Sequence, residues 1–251
     1  MFCAAAGADL AITDDSATGV LEAATINSIS AANTLSTMAL NGAKTLTVSG
    51  DQSLTLAAAL EATVTTVDAS AMTGALGLTL SADPATTAIT ITGSAGVDSL
   101  RGTASGADNI SSGGGNDTIT FATDGQLNAL DIIDGGAGTD TVVTANAATV
   151  SSVLGGLSNV EKLSLTAAGA TGTFTTNTGP TNFVVSTDGA QSITFNDDYD
   201  QASTVTILGD TNSTDTITNN SGIALTVVAY SSDFVEADTT ITGHATASDT
   251  I

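Results

Sequence analysis

Short apolar ladders run along the whole chain, each alternating with Thr or Ser at period two. Leu46-Thr47-Val48, Leu54-Thr55-Leu56, Leu78-Thr79-Leu80, Ile89-Thr90-Ile91, Ile119-Thr120-Phe121, Ile193-Thr194-Phe195 and Val205-Thr206-Ile207 are of this kind. The alternation predicts β-strands with one face turned inward and one outward. Turn-forming clusters, among them Ser49-Gly50-Asp51, Ala82-Asp83-Pro84, Asp188-Gly189 and Gly209-Asp210, separate the ladders. Their steps of roughly 8–12 residues suit a sandwich, a barrel or a solenoid. Residues 21–40 are Ala-rich and have room for a helical turn, although their Thr and Ile weigh against one.

A repeat decides among these architectures. Gly135-Gly136-Ala137-Gly138-Thr139-Asp140-Thr141-Val142-Val143 is a complete G-G-x-G-x-D-x-U-x nonapeptide, the unit of a calcium-binding parallel β-roll. Ser112-Gly113-Gly114-Gly115-Asn116-Asp117-Thr118-Ile119-Thr120 departs from it only at the first glycine. Gly93-Ser94-Ala95-Gly96-Val97-Asp98-Ser99-Leu100-Arg101 departs only at the second. A looser copy over residues 103–111 keeps Gly106, Asp108 and Ile110, and degenerate echoes end in Asp215-Thr216-Ile217 and Asp249-Thr250-Ile251. The expectation is an all-β chain, a right-handed parallel β-solenoid or β-roll with Gly/Asp-rich turns. Its parts would be an N-terminal solenoid segment over 1–92, the calcium-binding roll over 93–143, and a C-terminal segment over 144–251. Coils of roughly 20 residues would give about a dozen rungs, some 50–60 Å tall at about 4.8 Å per rung.

Spacing assigns the chemistry. The glycines let the backbone turn its carbonyls to a common point, the sixth-position Asp adds a carboxylate, and the eighth residue plugs the core. Calcium takes six to eight such oxygens. Asp98 and Asp117 stand 19 residues apart and Asp117 and Asp140 23 apart, each close to one coil of two nonapeptides. One ion is expected between the turn of Gly93, Ala95, Gly96 and Asp98 and the turn of Gly113, Gly114, Gly115 and Asp117. A second is expected between that turn and Gly135, Gly136, Gly138 and Asp140. On the opposite edge Asp108, with Gly106, is expected to pair with Asp124. Asp215 and Asp249 lack the glycines and are expected to bind nothing. Asn196-Asp197-Asp198-Tyr199-Asp200 spaces its oxygens like half an EF-hand but lacks the sixth-position Gly and the twelfth-position Glu, so it reads as an acidic loop.

Charge sharpens the picture. The 251 residues carry 26 acids against 3 Lys+Arg, a net −23, and 22 of the acids are Asp, the turn-forming member of the pair. Three cations exclude binding to nucleic-acid phosphates and to anionic membranes, and no apolar run is long enough to span a bilayer. Lys44, Arg101 and Lys162 are expected to pair with acidic turns, and Lys162 beside Glu161 also suits a lattice contact. Cys3 is alone and His244 is the single histidine, so neither a disulfide framework nor a clustered acid–base site can be built, and no enzyme is expected. Ice binding would need the Thr-x-Thr pairs at Thr45/Thr47, Thr90/Thr92, Thr118/Thr120 and Thr204/Thr206 stacked at one period. Their irregular spacing argues against it.

The nonapeptide run resembles the RTX calcium-binding family. A second likeness is wider. Val67-Asp68-Ala69-Ser70-Ala71-Met72-Thr73-Gly74, then Leu78-Thr79-Leu80 and Ile89-Thr90-Ile91-Thr92-Gly93, is similar to proteobacterial surface-layer (S-layer) proteins. So is Ile132-Ile133-Asp134-Gly135-Gly136-Ala137-Gly138-Thr139-Asp140 followed by Ser158-Asn159-Val160-Glu161-Lys162-Leu163-Ser164-Leu165. The resemblance implies a calcium-dependent solenoid on the bacterial cell surface, exported by type I secretion. Its partners would be copies of itself and a cell-surface glycan. Met1-Phe2-Cys3-Ala4 lacks the basic start of a secretory signal, as that route would have it. An RTX adhesin stalk or binding module is the alternative.

Overall fold

The computed structural model describes residues 8–13, 22–38, 40, 42–85, 87–104, 106–146, 148–175, 179–185, 189–199, 201–208, 215–229 and 240–243. The first third holds β1 (Ala8–Thr13), β2 (Ala23–Ser28), β3 (Asn33–Leu35), β4 (Thr45–Gly50), β5 (Leu54–Leu56), β6 (Thr66–Met72) and β7 (Leu76–Leu80). The repeat region follows with β8 (Thr90–Thr92), β9 (Val97–Arg101), β10 (Asn109–Ser111), β11 (Thr118–Phe121), β12 (Ile132–Asp134) and β13 (Thr141–Thr144). Next come β14 (Ala148–Val150), the single-turn helix α1 (Ser151–Leu154), β15 (Leu157–Ser158), β16 (Lys162–Leu165), β17 (Thr171–Phe174) and β18 (Asn182–Val185). The chain finishes on β19 (Ser192–Phe195), β20 (Ser203–Ile207), β21 (Thr216–Asn219), β22 (Leu225–Ala229) and β23 (Thr240–Thr242).

These strands form three sheets. Sheet A runs β1-β2-β4-β6-β8-β10-β12-β15, sheet B runs β3-β5-β7-β9-β11-β13-β16-β18-β20-β22, and sheet C runs β14-β17-β19-β21-β23. Among the described strands only β1 lies antiparallel, against β2; every other pair is parallel. The chain is therefore a β-solenoid, with sheet B running its length. Sheet A covers the first half and sheet C the second, exchanged between β14 and β15 around α1. Residues 21–40, read as having room for a helical turn, carry β2 and β3 instead.

The ten strands of sheet B make nine coil-to-coil steps, about 43 Å at about 4.8 Å each. That is shorter than the dozen rungs expected. Most coils are longer than 20 residues: Thr118 pairs with Thr141, 23 on, and Leu54 with Leu78, 24 on, although Ser99 pairs with Thr118, 19 on. The extra residues sit in loops, so strand registers are undisturbed. Loop 122–131 in one coil, for example, replaces loop 102–108 in the coil before. Alternation does the rest. Leu46, Leu54, Leu78, Leu100, Ile119 and Val142 are fully buried on the inward face. In the second half the core turns aromatic, with Phe174 stacked on Phe183 at 4.6 Å and Phe195 edge-on to Phe183 at 5.2 Å.

Candidate metal centre

Each coil of the first half has two corners. Sheet A passes into sheet B through the nonapeptide turns, and sheet B returns to sheet A through loops such as 102–108 and 122–131. At the A-to-B corner Ser99 pairs with Thr118, Thr118 with Thr141 and Thr141 with Lys162. The residues just before them, Asp98, Asp117, Asp140 and Glu161, therefore stack in one column. Each backbone N–H donates to the carboxylate of the next coil: Asp98 N to Asp117 Oδ1, Asp117 N to Asp140 Oδ1 and Asp140 N to Glu161 Oε2, all at 2.7 Å.

The glycines are required by this stacking. Gly136 and Gly138 have φ of +82° and +145°, and a Cβ on either would strike the carbonyl of Gly113 or Gly115 one coil away. The turns are bonded to one another as well. Gly114 N donates to Ser94 O, Ala137 N to Gly113 O and Gly115 N to Ala137 O, each at 2.9 Å. Those three carbonyls each accept an N–H from the neighbouring turn and keep a second lone pair.

The carboxylates of the column differ from one another. Asp98 is saturated: Leu78 N donates to Oδ1, Ser94 N donates to Oδ2 at 2.7 Å, and the single Ser94 hydroxyl proton lies within reach of both, 3.1 Å from Oδ1 and 2.9 Å from Oδ2. The serine that replaces the second glycine thus supplies what a cation would. Asp117 and Asp140 have fewer donors, although the Ser112 hydroxyl stands close to Asp117. Both are buried, and Oδ2 of each has no hydrogen-bond partner. Ser112 Oγ, close to Asp117, donates instead to Gly135 O at 2.8 Å. Burial pushes Asp117 up to about 6, against the Asp98 N–H and the Ser112 hydroxyl, with the charges of Asp98 and Asp140 adding to the rise. Burial also raises Asp140, opposed by the Asp117 N–H and reinforced by Glu161 and Asp134. Asp98 is raised by burial and held back by its Ser94 and Leu78 bonds.

The opposite corner is built otherwise. The coil neighbour of Asp108 is Asp131, whose Oδ1 accepts Asp108 N at 2.9 Å, and not Asp124, which is exposed in the 122–131 loop. Every oxygen of this pair is bonded. Asp108 takes Ile89 N and Thr103 Oγ1 on Oδ1 and Thr103 N on Oδ2, and Asp131 Oδ2 takes Asn128 N at 2.8 Å. Burial raises Asp131 against the Asp108 and Asn128 N–H groups. Gly106 serves close approach, since a Cβ would strike Thr87 O, and its carbonyl accepts Asn128 Nδ2 at 2.8 Å.

Sequence reasoning missed Asp131 and Glu161. Their signal is the tripeptide acid-x-apolar without glycines: Asp131-Ile132-Ile133 and Glu161-Lys162-Leu163 repeat Asp117-Thr118-Ile119. Asp215-Thr216-Ile217 does so too, and Asp215, buried, accepts Gln191 N at 2.9 Å. In the acidic segment at 196–200, Tyr199 is a core residue bonded to Ser203 Oγ at 2.6 Å, and Asp197 and Asp198 are exposed. Arg101 forms an ion pair with Asp83 at 2.9 Å, whose other oxygen accepts Gln126 Nε2. Asp200, His244 and Asp249 lie outside the described residues.

Unpartnered buried carboxylate oxygens, repeated at one-coil intervals, are donors for a hard cation, and calcium takes such oxygens. Among the described residues no three His, Cys, Asp or Glu side chains converge to hold a metal ion, so a bound ion would complete its shell with carbonyl or water oxygens. The residues that fit are Asp117 and Asp140. Beside the column lies a groove of about 310 Å³, lined by Ser53, Thr55, Leu76, Thr79, Val97 and Ser99 among others, with no His, Cys, Lys or Arg in its walls. No described helix is long and apolar enough to cross a membrane. Comparison with protein-family models, with curated proteins and with solved structures finds no match.

Proposed function

We propose that this chain is a calcium-stiffened structural protein of a bacterial cell surface, assembling with copies of itself into a layer or filament rather than catalysing a reaction. The observation that carries the reading is the pair of buried carboxylates, Asp117 and Asp140, each with one unpartnered oxygen, in a parallel solenoid of charge −23. Two bare carboxylates one coil apart repel, and a divalent cation between them removes both the repulsion and the unpaired oxygens. Calcium is abundant outside cells, so the solenoid would stiffen after export. The same logic governs assembly. With two bound ions, each +2, the charge of −23 falls to about −19, copies still repel, and screening or bridging calcium must bring them together. A cell-surface glycan is the proposed anchor. Sedimentation and negative-stain microscopy across a calcium titration test this: monomers are expected in chelator and ordered sheets or filaments at millimolar calcium. A chain that stays monomeric throughout would overturn the assembly reading.

A second reading, a binding module, draws on sheet C. Coil registers bring Thr171/Thr173, Ser192/Thr194, Thr216/Thr218 and Thr240/Thr242 into two adjacent columns. These are not the pairs singled out in the sequence: Thr45/Thr47 and Thr90/Thr92 lie in sheet A with Thr66 and Asp68 between them, and Thr118/Thr120 and Thr204/Thr206 lie in sheet B. Ice-recrystallisation assays separate the readings: crystal growth unaffected by the protein removes this one.

A further inference from the structure

We propose that the cation column extends one step beyond the nonapeptides, with Glu161 and Asp140 forming a terminal cation site; this rests on the calcium reading above. The nonapeptide pattern ends at Val143, yet the stacking does not. Ser158 pairs with Asp134, Lys162 pairs with Thr141, and Gly135 N donates to Ser158 O at 3.0 Å. The 159–161 segment thus lies against the last Gly/Asp turn as another turn would. Asn159, at φ +50°, supplies the left-handed residue that glycine supplies in the turns before.

Two acids, Asp140 and Glu161, and one carbonyl meet there, with Asp134 nearby. Asp140 is 0 % exposed; its Oδ1 is spent on Asp117 N in the preceding coil, and its Oδ2 has no partner. That orphaned oxygen lies against Gly135: a Cβ on Gly135 would stand 2.8 Å from it and strike the Asn159 carbonyl. Oδ2 and Asn159 O therefore face the same small space, which glycine leaves open. Glu161 reaches it from the far coil, Oε2 accepting Asp140 N at 2.7 Å. Asp134 stands beside, its Oδ1 held by Asn159 Nδ2 at 2.7 Å and Gly136 N at 3.1 Å. The column ends here, because the next coil places Thr181 at this level, its N–H donating to Glu161 O at 3.3 Å. Glu161 is exposed, giving an ion a path in.

The saturated Asp98 implies that the sites are shifted one step along the column from where the nonapeptides put them. They fall at Asp117/Asp140 and Asp140/Glu161, leaving the Asp98/Asp117 step with fewer open oxygens.

Calcium binding by the full-length chain, stripped of metal and titrated in a calorimeter, tests this. Glu161→Gln keeps an acceptor for Asp140 N and removes one charge. It should lose one ion from the stoichiometry or weaken one site by about tenfold or more. Glu161→Asp should bind more weakly than wild type and more tightly than Glu161→Gln, and circular dichroism in chelator should show both variants folded as wild type. If Glu161→Gln does not fold, the Glu161→Asp titration decides alone, an unchanged isotherm overturning the proposal. A wild type that binds calcium while Glu161→Gln binds the same number equally tightly overturns the terminal site and leaves the calcium reading standing. A wild type that binds none overturns both.

Discussion

At the A-to-B corner two buried carboxylate oxygens lack a donor, whereas at the B-to-A corner every carboxylate oxygen of Asp108 and Asp131 has one. Asp117 and Asp140 each keep one oxygen bare. Asp108 and Asp131 are equally buried, yet Thr103, Asn128 and Ile89 satisfy every oxygen. A buried carboxylate one turn from another is thus not a metal site by itself. What separates the corners is whether the loop brings hydroxyls and free N–H groups or brings glycines. Glycine turns stack backbone on backbone and spend their N–H groups on carbonyls, leaving the acids to something else.

The largest expected effect follows from removing calcium. Each site adds about 2.7 kcal/mol when free ion is about 100 times its Kd, so two sites add about 5 kcal/mol. For a chain of this size that corresponds to a fall in Tm of about 10–20 °C in excess chelator. Asp140→Asn, which touches both proposed sites, should abolish most of that difference, and in chelator it should melt no lower than wild type because it discards an uncompensated charge. Thermal melts with and without calcium check both.

Asp131→Ala should behave in the opposite way. It strands the N–H groups of Asp108 and Asn128, at about 1–3 kcal/mol each if they stay dry. The loss should be the same in calcium and in chelator. A calcium-dependent loss would erase the distinction between the corners.

Acidity gives a third, intermediate effect. The native state holds Asp117 at about 6, above the ordinary 3.8, so between those values the folded chain binds more protons than the unfolded one. In chelator, stability should therefore be greatest near pH 4 as far as this group decides it, and fall as pH rises through 6. Asp98, Asp140 and Asp131 are shifted the same way. Calcium binds the ionised form, so with calcium present the trend should flatten or reverse, and calcium affinity should weaken below pH 6. Denaturant melts from pH 4 to 8 provide the test.

The smallest effect on stability is also the sharpest. Ser94→Gly completes the first nonapeptide and strips the hydroxyl donor from Asp98, at a cost of about 1 kcal/mol in chelator. It should add one calcium ion to the stoichiometry. No added ion would mean that Ser94 is not what closes the first step.

Much of this was legible in the residues. Period-two ladders predicted the strands, and the 19- and 23-residue spacings placed Asp98, Asp117 and Asp140 in one column because insertions fall in loops. The same absorption hid the coil length, and it hid the threonine columns of sheet C, since loop residues change spacing along the chain without changing register. Gly102 leaves the gap that the Phe121 ring fills. Asp131 carries no Gly-x-Asp signature, and Asp124, which follows the strand end more closely in the same 122–131 loop, does not reach the corner. Saturation could not be read at all: that Ser94 bonds Asp98 while Ser112 turns to Gly135 depends on rotamers set by packing.

The central claim is that bare oxygens, not the repeat motif, locate the ions. Crystals of the wild-type chain grown in calcium, with anomalous scattering recorded at long wavelength, test it most directly. The account predicts peaks at the Asp117/Asp140 and Asp140/Glu161 steps and none between Asp108 and Asp131. Peaks confined to the Asp98/Asp117 step or to the Asp108/Asp131 corner, or no peak in the column, would contradict it.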